Sequence, residues 1–141
     1  MYSPEENTLP PNYTGGLAQA AARKQIELIR KSKREYAETG KVEDRPKVSS
    51  QPTPRSSHVI RFEKKYGFPV TETARVKKLF PDSNIDKILA KGIAAYGSSG
   101  SRPNVSKAQW ANARLASVLT GGPALKVDKD LVGQRSLEKI R

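Results

Sequence analysis

A chain of 141 residues is long enough for one domain, but with 35% hydrophobic and 28% charged residues it is lean for burying a single core. Its formal charge of +12 implies a polyanionic or acidic neighbour: nucleic acid, anionic lipid headgroups or the acidic surface of another protein. The absence of Cys excludes disulfides and thiolate metal sites, and a single His argues against a zinc or imidazole-based catalytic centre, so no metal and no cofactor are expected.

The charge divides the chain into three. Residues 1–16 carry a net −2, residues 17–57 a net +5 and residues 58–141 a net +9. The first segment, MYSPEENTLPPNYTGG, has no basic leader followed by an apolar run, and nowhere does the chain approach the roughly 20 apolar residues that cross a bilayer. Its expected setting is therefore in solution or inside an assembly. Pro4, Pro10 and Pro11, closed by Gly15 and Gly16, favour an extended, polyproline-like strand.

From Leu17 to Thr39 the sequence favours a helix ended by Gly40. Ala22, Ile26, Ile29, Lys33 and Tyr36 line one narrow face, while Arg23, Lys24, Arg30, Lys31 and Arg34 occupy the rest. Residues 41–57, with three prolines and four serines, read as an extended linker. On this reading residues 1–55 form an extended basic arm and linker containing one helix, too polar to fold without a neighbouring surface.

A small helical domain is expected over residues 56–125. Ser56 or Ser57 caps a helix stopped at Gly67, Thr71 opens one stopped at Pro81, and Ser83 with Asp86 writes a capping box for a helix stopped at Gly97. A polar loop, GSSGSRPN, leads to a fourth helix, with Ser106 as N-cap and Gly121–Gly122–Pro123 as its stop. Ala108, Ala111, Leu115, Val118 and Leu119 give that helix its apolar face, with Trp110 and Arg114 one turn apart on its flank. Val59, Ile60, Phe62, Phe68, Val76, Leu79, Phe80, Ile85, Ile88, Leu89, Ile93 and Tyr96 are spaced to meet the Trp110 helix in one core. Residues 126–141 read as a C-terminal docking tail or a partly helical end. The fold class is all-α: about four short helices with a long N-terminal arm.

Candidate sites are those of a binding protein. The pairs Lys64–Lys65 and Lys77–Lys78, with Lys87, Lys91 and Arg114, can form a phosphate-contacting face, although small helices with a solvated polar surface carry the same residues. The loop GSSGSRPN with Arg102 lacks the Gly-Lys-Ser/Thr ending of a phosphate-binding loop, so a connector is the simpler reading. His58 has no Ser or Asp partner that the sequence can name, and a capping or surface role suits it. Asp128 and Asp130 are too few for a cation site and are explained by pairing with Lys126 and Lys129. Trp110, among nine aromatics in the chain, suits a core or interface anchor better than a base-stacking platform. No enzymatic constellation emerges.

The block SKAQWANARLASVLTGGPALKVDKDLV, preceded by RSSHVIRFEKKYG and a Lys-rich helix, resembles small basic proteins of large icosahedral double-stranded DNA viruses, particularly those infecting algae. Their similar pattern runs Trp-Ala-x-Ala-Arg-Leu-x-Ser-x-Leu-x-Gly-Gly, then a Lys and an acid pair, matched here by Lys126, Asp128 and Asp130; Pro123 stands where many of them have Lys. The resemblance covers residues 56–132 and is densest from Trp110 to Gly122. It implies a virion structural protein: a minor capsid or cement protein on the inner face of the shell, contacting the major capsid protein and other minor capsid proteins. The residues expected at such contacts are Arg23, Lys24, Ile26, Ile29, Arg30, Lys31, Arg34, Tyr36, Lys64, Lys65, Lys77, Lys78, Trp110 and Arg114. The alternative is a virion protein that binds nucleic acid without sequence specificity and condenses or tethers the genome. The basic face then meets DNA, or the headgroups of an inner membrane, and no small-molecule substrate is expected.

Overall fold

The computed structural model describes residues 13, 19–49, 55–101 and 103–141. These contain seven α-helices and no strand: α1 (Gln19–Thr39), α2 (Ser57–Tyr66), α3 (Thr73–Leu79), α4 (Ile85–Ser99), α5 (Lys107–Leu119), α6 (Pro123–Asp128) and α7 (Gln134–Ile140). A 3-10 turn, Lys129–Leu131, joins α6 to α7. The chain divides into two compact units. One is Met1–Thr53 with Ile93–Lys107; the other is Pro54–Gly92 with Ala108–Arg141. Of residues 1–16 only Tyr13 is described, and it is buried; the extended character expected of the others and the loop residue Arg102 lie outside the described residues.

In the second unit, local signals set the helix ends. The Ser56 side chain accepts from His58 N at 3.2 Å, and Gly67 closes α2 in the left-handed region at φ 82°. α5 stops through a pair of reversed hydrogen bonds. Gly121 N donates to Val118 O at 3.3 Å and Gly122 N to Ser117 O at 2.7 Å, with Gly121 at φ 77°. This is the Schellman arrangement, in which the residue after the helix must be left-handed and glycine adopts that without strain. Pro123 then opens α6, where its missing N–H leaves no helix bond unmade.

The core of this unit is an aromatic cluster surrounded by aliphatic side chains from five further segments. Phe62, Phe68, Val70, Val76, Phe80, Ile85, Ile88, Leu115, Ala116, Val118, Leu119, Val132 and Ile140 are all buried in it. The Phe62 and Phe68 rings meet edge-on at 5.4 Å, as do Tyr66 and Phe80 at 5.3 Å, the favoured aromatic geometry. Tyr66 turns its hydroxyl to Leu119 O at 2.6 Å, and burial pushes its pKa up to about 12.

Several expectations change here. Ile60 is 39% exposed and Ala108 is exposed, so neither faces the core. Tyr96 is buried in the first unit, not in this cluster. Of the two forms expected for residues 126–141, a docking tail or a partly helical end, the helical one is present as α7 and the turn before it, with Val132 and Ile140 in the core. The cap of α4 is Asn84, whose Oδ1 accepts from Lys87 N at 3.1 Å, because Ser83 Oγ is drawn instead to Ser136 Oγ at 2.7 Å. Asp82 caps α7 by accepting from Arg135 N at 2.8 Å and from the Ser136 hydroxyl.

In the first unit α1 ends where expected: Gly40 N reaches Tyr36 O at 2.8 Å, with Gly40 at φ 72°. Its buried residues are Gln25 and Ile29, with Ala22, Ile26, Ser32 and Tyr36 half-buried and Lys33 exposed. Residues 42–49 are not a free linker. They lie along residues 96–107 through a series of side-chain bonds described below, so the arm has its neighbouring surface within its own chain.

α4 and α5 approach closely at Gly92. A Cβ there would sit 2.7 Å from Ala111 Cα, a backbone atom that cannot step aside. Gly92→Ala is expected to destabilise the fold by roughly 1–3 kcal/mol despite the higher helix propensity of alanine. Equilibrium urea unfolding measures it; an unchanged or raised midpoint would contradict the contact.

Candidate partner-binding surface

α1 presents the largest continuous polar face among the described helices. It is 21 residues long, about 31 Å at 1.5 Å per residue, and it buries only one stripe. Arg23, Lys24, Lys31 and Arg34 are exposed, Arg30 is half-buried, and Lys31 lies 4.0 Å from Glu35. Ile26 and Tyr36 are half-buried and Ile29 is fully buried, so these three belong to the packed side of the helix. The structure thus separates the residues expected in one contact set: the cations face outward and the apolar residues hold the helix down.

Arg45 holds α1 in its unit together with the buried Ile29 and Gln25. Pro46 disfavours helix at the preceding residue, which keeps Arg45 outside any helix. Its guanidinium lies 3.6 Å from the centroid of the Tyr96 ring. Arg45 Nη1 donates to Ser32 Oγ at 2.8 Å and Tyr96 O at 3.0 Å, and Nη2 to Ser101 Oγ at 2.7 Å. Arg45 N donates to the Tyr96 hydroxyl at 2.8 Å, which in turn donates to Val105 O at 3.0 Å. Burial pushes the Arg45 pKa down, opposed by Tyr96, Tyr13 and Asp44 nearby. One residue therefore joins α1, the 42–49 segment, α4 and the loop after it.

Further bonds continue the seam. Asn104, in the left-handed region at φ 62°, accepts from Val48 N at 2.8 Å and donates to Ser49 O at 3.2 Å. Asp44 Oδ1 accepts from Lys107 N at 2.7 Å, so an acid 63 residues away serves the first turn of α5. Gln25 Nε2 donates to Ser101 O at 3.2 Å.

In the second unit Asp128 is completely buried. Arg114 grips it with two parallel bonds, Nε to Oδ2 at 2.8 Å and Nη2 to Oδ1 at 2.9 Å, and Lys91 Nζ lies 2.6 Å from Oδ1. The pairing expected with Lys126 and Lys129 is replaced by one that ties α4, α5 and α6 together. Burial by itself raises the pKa of this carboxyl, but the bonds and charges of Arg114 and Lys91 outweigh it and hold the group below its ordinary range. Arg114 is accordingly engaged within the fold, with part of its side chain still exposed.

The remaining candidates are dispersed. Lys64, Lys65, Lys77 and Lys78 are exposed, but Lys77 lies 3.0 Å from Asp86 and Lys65 Nζ donates to Ile140 O. Lys65 also lies over the Tyr66 ring at 5.5 Å, Lys139 over Phe80 at 5.7 Å, and Arg75 over Phe68 at 4.3 Å. These cations border the aromatic core, where long side chains cover apolar edges and keep their charge in water. Trp110 is half-buried and stands outside the hydrophobic cluster. The seam roles of Arg45, Tyr96 and Asn104 escape sequence reasoning, although Tyr96 was legible as a buried residue, since a lone Arg beside Pro in a Ser- and Pro-rich stretch has no periodicity to mark it.

Among the described residues no group of three or more His, Asp or Glu side chains is arranged to hold a metal ion, and no helix is long and apolar enough to cross a membrane. The structure is that of an all-helical basic protein with two polar seams, one in each unit. Residues 10–133 match the family described as Family of unknown function (DUF5824), and the chain belongs to that family. No curated protein and no solved structure matches it.

Two substitutions test the seams. Asp128→Asn is expected to lose about 3 kcal/mol of stability, because breaking a buried pair leaves Arg114 and Lys91 without their counter-charge. The Asp128 pKa is depressed in the folded state, so its stabilisation is full above the unfolded value of about 3.9 and fades as pH falls through the lower folded value. In Asp128→Asn this acid-dependent component should be missing from urea midpoints measured between pH 2 and 6. Arg45→Met should raise amide hydrogen exchange across residues 42–49 and 100–106; unchanged protection there would show that Arg45 is not the clasp.

Proposed function

We propose that this chain is a structural protein that binds nucleic acid through backbone phosphates, without reading sequence, using the exposed basic face of α1. The observation that carries the reading is the separation on that helix: Gln25 and Ile29 are buried while Arg23, Lys24, Lys31 and Arg34 remain exposed. Cations held on a rigid helix release the counterions condensed on a polyanion, and that term is independent of base sequence. The internal polar groups support a structural role, since Asp128, Arg45 and Ser136 are engaged in joining helices. Expected behaviour is micromolar binding to random-sequence DNA that weakens steeply as salt rises. Changing Arg23, Lys24, Lys31 and Arg34 together to Gln should flatten that dependence, as read by fluorescence anisotropy from 50 to 300 mM salt. Salt-independent binding, or none, would sink this reading.

The second reading is a minor capsid protein that ties neighbouring capsomers together on the inner face of a large icosahedral shell. The resemblance of residues 56–132 to virion proteins favours it, and under it the positive charge meets acidic capsid surfaces. Both readings assign the protein to a virion. Its position in a particle distinguishes them: retention with shells emptied of genome supports the capsid role, and co-release with DNA supports the first.

A further inference from the structure

The exposed face of α1 has an internal order that goes beyond net charge. At about 100° per residue, Arg23 and Arg34 fall within about 20° of each other around the helix, and so do Lys24 and Lys31. These two rows lie on average about 80° apart around the axis. Glu27 and Glu38, both exposed, fall between the rows and nearly opposite the fully buried Ile29. The most outward line of the helix is therefore acidic, flanked on each side by a cationic row. Tyr36 is half-buried and no aromatic ring stands on the exposed face.

A flat polyanion surface does not call for this order, because it would meet the acidic line first. A groove does. A helix with side chains is about 10–12 Å across, and the major groove of B-form DNA is about 12 Å wide with a phosphate strand on each wall. Resting on the preceding reading of α1 as a phosphate-binding helix, we propose that its partner is B-form duplex DNA and that the helix lies in the major groove. Arg23 and Arg34 reach one phosphate strand and Lys24 and Lys31 the other, which leaves Glu27 and Glu38 over the groove floor, away from the phosphates. Single strands are disfavoured because the face offers no ring on which bases stack. Duplex RNA is disfavoured because its major groove is deep and narrow.

The test compares a 24-base-pair DNA duplex, its single strand, the duplex RNA of the same sequence, and heparin, each titrated into the full-length protein at fixed salt. Duplex DNA is expected to bind at least tenfold tighter than the single strand or duplex RNA. Methyl green in the major groove should displace the protein, and netropsin in the minor groove should not. The pairs Arg23→Gln with Arg34→Gln, and Lys24→Gln with Lys31→Gln, should each lower the log–log salt slope by about two phosphate contacts on duplex DNA. All four positions are exposed, and an unchanged circular dichroism spectrum verifies the fold. Equal affinity for duplex and single strand, or displacement by netropsin, would overturn the groove assignment while leaving the phosphate-binding reading intact. Absence of binding to all four polyanions would overturn both.

Discussion

Asp128 is a carboxylate with no exposed surface, in a unit where three helices meet at its two oxygens. An isolated charge cannot remain in such a place, because loss of hydration costs several kcal/mol unless partners replace the water. Arg114 and Lys91 do so from α5 and α4. Their guanidinium and ammonium groups keep partial access to solvent, with 21% and 34% of each side chain exposed, so the desolvation falls mainly on the acid. The consequence is directional. Leucines and phenylalanines tolerate many packings, whereas a bidentate Arg–carboxylate pair accepts one relative placement of α5 and α6. Close approach at Gly92 and Ala111 adds a steric limit to the same pair of helices, α4 and α5, that the cations link to Asp128.

The first unit faces the opposite problem, a guanidinium bonded by neutral groups, with the Asp44 carboxylate acting on it only through its nearby charge. Arg45 is surrounded by neutral acceptors, two serine hydroxyls and a carbonyl, and by the face of Tyr96. Neutral bonds to an ion are stronger than bonds between neutral groups, and the ring supplies a diffuse negative face. A hydrophobically lean chain thereby orders residues 42–49 with few apolar side chains. The two units use different chemistry for one purpose: each holds together short helices that would be marginal alone.

How much of this was readable in the sequence depended on distance along the chain. Helix ends formed by residues within five positions were legible, including the Ser56 cap, the Gly67 stop and the Gly121–Gly122 turn, and so was the all-helical class. Features closed by residues more than ten positions apart were not. Ser83 looked like the cap of α4 until Ser136 claimed its hydroxyl, and Lys126 and Lys129 looked like the partners of Asp128 until the fold brought Arg114 and Lys91 to it. Polar contacts of this kind leave no period in the sequence, unlike a buried apolar stripe. The basic residues of α1 were legible as a set apart from the apolar stripe, but two positions of that sorting were not: Gln25 is buried beside Ile29, where its amide donates to Ser101 O, while Lys33 stays exposed.

That sorting bears on how α1 works. An extended arm that ordered only on meeting a partner would lose roughly 1–2 kcal/mol of backbone entropy per residue at that moment. α1 is ordered before any partner arrives, since Ile29, Gln25 and the Arg45 clasp already anchor it. Its cations still carry side-chain freedom, but the helix that spaces them does not have to form. A small number of phosphate contacts can then give useful affinity. The same anchoring turns a fixed face outward, with the acidic line of Glu27 and Glu38 at its crest, and it is this fixed order of charge, not net charge alone, on which the proposed groove binding rests.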